Sequence, residues 1–415
     1  MATIKDSMCF KTWYDLTIHL PEQYIYWCCK TIRTKEQIEP TKFDSNNLTL
    51  DFIINNPIIQ KRKRELVSGV RSPECRDCWS NEDATGSSFR TAYYGNDFSN
   101  LTDSHLNDLP NKDLTRKIEI VLSNNCNTAC VYCWEGLSTR WQKETGVKFK
   151  NTDDAVFEKV INVLNEYWDA ELKNKKKLTF SLLGGEPFFS NHMFDFIEKF
   201  INKLDVQDGQ TIEIETTTNL NFTEKTFNRF VNLIKKNDKI RYTINVSGEA
   251  IEKKMEYIRW GTKWETWDKN FDNVCSFAKE LPMLNIAIGS AHNSLSLPYL
   301  KDFLQYIENK NLKIPLTMVS NWVDFPEPLS IGMLDKNRQT EVDEALHFFD
   351  NMKTKIIRRE HYRNALVNMK NVVGKEITPS DYKKSYSFFK ILEDRRNISF
   401  SSVFPHFSEL IKTDK

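Results

Sequence analysis

Between residues 117 and 320 the chain alternates short runs rich in β-branched and apolar residues with longer stretches whose apolar residues recur at helical spacing. That alternation limits the fold more than any other feature. The short runs are "KIEIVLS", "LTFSLLG", "TIEIETTT", "KIRYTINVS", "LNIAIGS" and "IPLTMVS", six predicted strands. Between them Phe157, Val160, Ile161, Leu164 and Trp168 trace a helical face that Thr152 is expected to cap. Met193, Ile197, Phe200 and Leu204 trace the next, followed by Phe227, Phe230, Val231 and Ile234. Trp264, Trp267, Phe271, Val274 and Ala278 form a fourth face, and Leu300, Phe303, Leu304 and Ile307 a fifth. Strand and helix in this order predict an α/β protein with a parallel sheet joined by right-handed crossovers, open or curled into part of a barrel. From about Asp335 the pattern turns helical and charged. A polar stretch over residues 96–117 separates this regular middle from an irregular, cysteine-bearing beginning. The expected parts are therefore residues 1–110, the barrel-like 111–330, and a helical extension over 331–415.

Charge narrows the partners. With 58 basic against 57 acidic residues, nothing in the balance points to nucleic acid or an acidic membrane surface. The beginning, "MATIKDSMCFKTWYD", lacks the apolar core of a signal peptide, and no uninterrupted apolar run approaches eighteen residues. A cytoplasmic location is expected. In a reducing compartment the nine cysteines read as metal ligands or catalytic groups rather than as a disulfide framework. Their grouping supports this: Cys28 and Cys29 adjoin, Cys75 and Cys78 form "CRDC", and Cys126, Cys130 and Cys133 form "CNTACVYCW".

The third group follows the first predicted strand, and "GGEP" at residues 184–187 follows the second. In parallel α/β folds the loops at the carboxyl ends of the strands carry the chemistry, so both motifs are expected at one mouth. Structural zinc and fully ligated iron–sulfur cubes take four protein ligands. Three thiolates on one short loop leave one iron of a cube open to a ligand from outside the protein. Catalytic zinc also keeps an open position, but it normally uses histidine or carboxylate ligands, and the loop holds neither.

Cys126, Cys130 and Cys133 in C-x3-C-x2-C spacing, with Tyr132 before the last cysteine, resemble the signature of radical S-adenosylmethionine enzymes. The resemblance implies a partial (β/α)6 TIM-like barrel and a catalytic [4Fe-4S] cluster whose open iron is chelated by the amino and carboxylate groups of S-adenosylmethionine. An electron then cleaves this cosubstrate to a 5′-deoxyadenosyl radical, which takes hydrogen from a substrate carbon. Gly184, Gly185 and Glu186 are similar to the family's motif for the methionine amino group, the glycines letting backbone approach the ligand. Asn219, Ser247 and Arg259 stand where relatives put ribose- and carboxylate-binding groups, with Arg259 able to fork a carboxylate. The segment "LNIAIGSAHN" resembles the strand that flanks adenine.

The segment "PECRDCWSNEDATGSSFR", the spacing of Cys9 and Trp13, the adjoining Cys28 and Cys29, and the tail "NISFSSVFPHFSEL" resemble the twitch-domain group of these enzymes. The resemblance implies that Cys9, Cys28, Cys75 and Cys78 hold an auxiliary [4Fe-4S] cluster, with Cys29 the competitor for the second position. Pro21 and Glu22 stand in the hairpin where relatives usually have glycine. A structural zinc at the same thiols is the alternative. The implied activity is a radical oxidoreductase acting on a peptide or a small metabolite such as an aminosugar or nucleotide-linked sugar, supplied with electrons by a flavodoxin- or ferredoxin-like donor. Cys275 is expected in the core, "KRKR" at residues 61–64 and "KNKKK" at 173–177 on solvated surface or as a donor-docking site, and His292 as a structural histidine or a proton carrier at the mouth.

Overall fold

The computed structural model of the chain describes residues 7–31, 38–86, 88–94, 109, 112–374, 377–405 and 407. Its center is a nine-stranded sheet. Strands β1 (Asp15–His19) and β2 (Tyr24–Tyr26) form a hairpin, and β3 (Lys117–Val121) lies parallel to β1. A short β4 (Ala129–Cys130) stands apart from the sheet. The sheet continues through β5 (Lys177–Leu183), β6 (Thr211–Thr218) and β7 (Ile240–Ser247). Strand β8 (Arg259–Trp260) pairs antiparallel with β4, while β9 (Leu284–His292), β10 (Leu316–Trp322) and β11 (Ile356–Ile357) complete the large sheet. Its order is β11-β10-β9-β7-β6-β5-β3-β1-β2, mostly parallel, and it does not close into a barrel. The six predicted runs are β3, β5, β6, β7, β9 and β10, each parallel to its neighbours.

Helices α1 (Asp154–Ala170), α2 (Asn191–Lys199), α3 (Glu224–Ile234), α4 (Trp264–Glu280) and α5 (Leu300–Asn309) make the crossovers. Their apolar faces bury against one side of the sheet: Phe180 of β5 meets Phe200 edge-on at 5.4 Å, and Tyr242 of β7 meets Phe230 at 6.1 Å. The other side is polar. Ser181 donates to Glu215 at 2.7 Å, Thr243 to Glu213 at 2.8 Å and Thr17 to Glu119 at 3.1 Å. A parallel sheet buried on both faces reads as continuous apolar sequence. The alternation in "TIEIETTT" instead fits strands with one apolar and one polar face.

Two local expectations change. The cap of α1 is Asp153, whose carboxylate accepts from Ala155 N and Val156 N at 2.9 and 3.2 Å. Thr152 donates to Leu122 O at 2.6 Å instead. A carboxylate at a helix N-terminus gains from the dipole as well as from the hydrogen bonds. The run "KRKR" is only half solvated. On the amphipathic helix Pro57–Val67, Lys61 and Arg64 are exposed, but Arg62 is buried against Glu74 and Lys63 lies 5.8 Å from the Trp13 ring. In "KNKKK" all three outer lysines are exposed, and Lys175 is half-buried.

Helix α6 (Gln339–Asn351) joins β10 to β11, helices α7 (Arg359–Val372) and α8 (Pro379–Arg396) come after, and α8 opens on a capping box of Thr378 and Asp381. The polar stretch at 96–117 and the tail beyond 405 lie largely outside the described residues. Among the described residues no helix is long and apolar enough to cross a membrane.

Candidate functional site

The carboxyl ends of β3, β5, β6 and β7 surround a cavity of about 720 Å³. Its lining includes Cys126, Cys130, Tyr132 and Cys133 from the loop after β3, and Gly184, Gly185 and Glu186 after β5. Asn219 after β6, Ser247 at the end of β7 and Arg259 of β8 line it too. The cysteine motif, "GGE", Asn219, Ser247 and Arg259 are therefore together, whereas no residue of the segment 284–293, similar to the adenine-flanking strand, lines the cavity. The N-terminal hairpin adds a wall that the sequence did not suggest. His19 stacks on Tyr24 at 5.0 Å, Tyr24 on Tyr26 at 5.6 Å, and Glu22 completes that side. Only the parallel pairing of β1 with β3 brings the hairpin there, and a pairing 102 residues apart leaves no local signal.

The cysteine loop is fixed mainly through its backbone. Trp141 Nε1 donates to Cys130 O at 2.9 Å, Ser138 Oγ to Thr128 O at 2.6 Å, and Thr139 Oγ1 to Cys126 O at 3.1 Å. Val131 N donates to Ile258 O at 2.8 Å beside the β4–β8 pair. From α8, Arg396 Nη2 donates to Ala129 O at 2.9 Å while its Nε bonds Glu144 at 3.0 Å. The side chains stay near polar groups: Thr128 Oγ1 lies 3.3 Å from Cys126 Sγ and 3.7 Å from Cys130 Sγ. Burial pushes the Cys126 thiol up to about 12, with Cys130 adding repulsion, and it also raises Cys130 and Cys133. Thiols so placed ionise when a metal supplies the compensating charge.

The two glycines of "GGEP" line the cavity and also lie against the protein's own backbone. A Cβ on Gly184 would stand 2.4 Å from Ser123 O, and one on Gly185 2.4 Å from Asn125 O. They let the turn after β5 lie directly on the segment leading into Cys126, where Gly185 N and Glu186 N donate to Ser123 O and Asn125 O, both at 2.8 Å. Gly184 also holds φ at 138°, which favours glycine. Glu186 is buried and accepts from Phe188 N at 3.1 Å and Asn219 N at 2.6 Å. Burial raises its carboxyl to about 7 against those donors. Asn219 in turn donates to Asn127 Oδ1 at 2.9 Å and Thr128 Oγ1 at 3.2 Å, tying the end of β6 to the cysteine loop.

Arg259 forks a carboxylate, but the carboxylate belongs to the protein. Its Nε and Nη2 donate to Glu249 Oε2 at 3.2 and 2.6 Å, and Tyr132 donates to Glu249 Oε1 at 3.0 Å. Burial alone would lower the Arg259 pKa; Glu249, with Tyr132 and Cys130, more than offsets it, so the guanidinium stays charged. Glu249, absent from the sequence expectation, thus links the cysteine motif to β8. Its "NVSGEA" context carries no motif of its own.

In the second thiol cluster Cys9 and Cys28 are buried, Cys75 and Cys78 half-buried, and Cys29 exposed. Burial pushes Cys9 up to about 12, with Cys28 and Cys78 adding to it; Cys75 is raised the same way and feels Cys9, Cys28 and Cys78. All four expected thiols therefore interact with one another. A hydrogen bond from Cys29 lowers Cys28 to about 6, assisted by Lys11 and Arg62. Met8, Phe10, Trp13, Tyr14, Leu66 and Trp79 form with Cys9 a small core separate from the main one, and Cys75 packs against it. Buried ion pairs of Arg62 with Glu74 and Arg90 with Glu82 brace it, and Arg90 Nη1 reaches Met8 O at 2.6 Å.

Cys275 is buried on α4, and burial raises its thiol to about 12. His292 is fully buried, 3.4 Å from Tyr362 OH, and burial lowers it to about 4. It does not line the cavity.

Both thiol sets suit iron–sulfur groups in their donor chemistry: three thiols beside an open cavity, and four thiols beside a small apolar core. Among the described residues no three Cys, His, Asp or Glu side chains gather tightly enough for a single metal ion. A cube takes its thiolates at separate corners. No protein-family model and no curated protein matches the chain.

Proposed function

We propose that the chain is a radical S-adenosylmethionine oxidoreductase of the twitch-domain type. One observation carries this reading: three thiols in C-x3-C-x2-C spacing share a cavity of about 720 Å³ with the turn "GGEP" and with Asn219, Ser247 and Arg259. That volume suits a cosubstrate and part of a substrate. Cys126, Cys130 and Cys133 would hold a [4Fe-4S] cluster, and Cys9, Cys28, Cys75 and Cys78 an auxiliary one. When bound, the first supplies the electron that splits S-adenosylmethionine and the second a one-electron acceptor or relay for oxidising or crosslinking the substrate, a peptide or a small metabolite.

The chain's own residues orient and exclude. After its backbone donors and the Thr218 side chain, Glu186 keeps a lone-pair site that can accept from a ligand ammonium. A cation there favours its ionised form. Arg259 keeps N–H groups not taken by Glu249, available to a ligand carboxylate. His19, Tyr24 and Tyr26 form the wall facing a substrate and keep water from a reactive carbon.

Reconstituted anaerobically, the protein is expected to hold about eight irons, about four per cube, and to release 5′-deoxyadenosine from S-adenosylmethionine under dithionite. About four irons with stoichiometric zinc would remove the auxiliary cluster from this reading. An iron-loaded protein that makes no deoxyadenosine would end it.

A further inference from the structure

The cysteine loop has a second face. Besides the inner cavity, Cys126 lines another of about 440 Å³, with Arg140, Lys143, Arg395, Phe189 and Glu144 among its neighbours. Lys143 and Arg395 are exposed, Arg140 is half-buried, and Phe189 is 56% exposed. The carboxylate of Glu144 is held by Arg396 Nε at 3.0 and 3.3 Å, which leaves the three cations to dominate the surface. The chain as a whole is nearly neutral, at +1, so this patch is local.

We infer that this outer face is the docking site of the electron donor, a small acidic one-electron redox protein. The inference rests on the radical reading above. A donor must come close to the iron–sulfur group without entering a cavity reserved for cosubstrate and substrate, and Cys126 is the ligand common to both faces. Cations steer an acidic partner, and the exposed Phe189 on the same cavity provides an apolar anchor. One electron passes from the donor's flavin hydroquinone, which becomes the semiquinone and yields its proton to solvent, to the group held through Cys126. The runs "KRKR" and "KNKKK" have no such relation to the site.

The test uses holoenzyme and a reduced flavodoxin, with the dissociation constant and deoxyadenosine release as separate readouts. K143E/R395E is expected to weaken flavodoxin binding about ten-fold or more at low salt, with the difference shrinking as salt rises. Flavodoxin-driven release falls with it, dithionite-driven release stays within about two-fold, and K61E/R64E changes neither. Unchanged binding by K143E/R395E, or equal weakening by K61E/R64E, overturns the docking face. If dithionite yields no deoxyadenosine from wild type, the radical reading fails, and the binding data still judge the surface.

Discussion

The two thiol clusters are built in opposite ways. Cys126, Cys130 and Cys133 come from one short loop, held by backbone hydrogen bonds at the mouth of the sheet and bordered by a large cavity. Cys9, Cys28, Cys75 and Cys78 come from three separate segments beside a small apolar core that includes Cys9, borders Cys75 and is braced by two buried ion pairs. The first arrangement would leave one side of a bound cofactor reachable. The second gathers four thiols from distant parts of the sequence, two of them buried and two half-buried. Three thiols on one loop beside a cavity and four from three segments would thus serve the same chemistry under two requirements.

The largest expected effect separates the clusters by function. Cys130→Ala should abolish deoxyadenosine release, roughly a thousand-fold or more as for loss of a cofactor site, whereas Cys75→Ala should leave dithionite-driven release within about ten-fold. Each variant should lose about four irons. Equal loss of release in both would mean that the clusters do not divide the work.

Next come the supports of the open site. Glu249→Gln leaves Arg259 charged and buried, and should cost about 3–5 kcal/mol in denaturant unfolding. Gly185→Ala drives a methyl into Asn125 O and should cost about 1–3 kcal/mol. Its sharper readout is selective: cavity-site iron is lost while the auxiliary iron remains, and the reverse selectivity would contradict the packing of the turn on the cysteine loop.

The smallest effect concerns the metal-free thiols. A lowered pKa means the thiolate is present above that value, so Cys28 should alkylate with an inflection near pH 6, while Cys126, raised to about 12, stays protonated through neutral pH. Cys29→Ala removes the hydrogen bond responsible and should shift the Cys28 inflection upward, as followed by mass spectrometry of iodoacetamide-labelled protein.

Particular residues explain what could be read without coordinates. The six parallel strands were legible because each carries its own pattern, and the loop and "GGEP" because each follows its strand directly. His19, Tyr24 and Tyr26 were not, since they reach the cavity only through the pairing of β1 with β3. Arg396 was not, since it touches Ala129 across 267 residues. Arg62 and Lys63 looked solvated because a run of charge does not reveal Glu74 or the Trp13 ring waiting across a fold. The glycines of "GGEP" were recognised, but their contact with the protein's own backbone was not.

The division between a three-thiol and a four-thiol cluster comes down to one spectrum. In Cys9→Ala/Cys75→Ala protein, reduced and holding only the cavity cluster, S-adenosylmethionine should change the electron paramagnetic resonance signal because it occupies the iron that three cysteines leave free. A signal that stays the same with saturating cosubstrate would mean that the fourth position is already filled, and that the cavity is not where the cosubstrate binds.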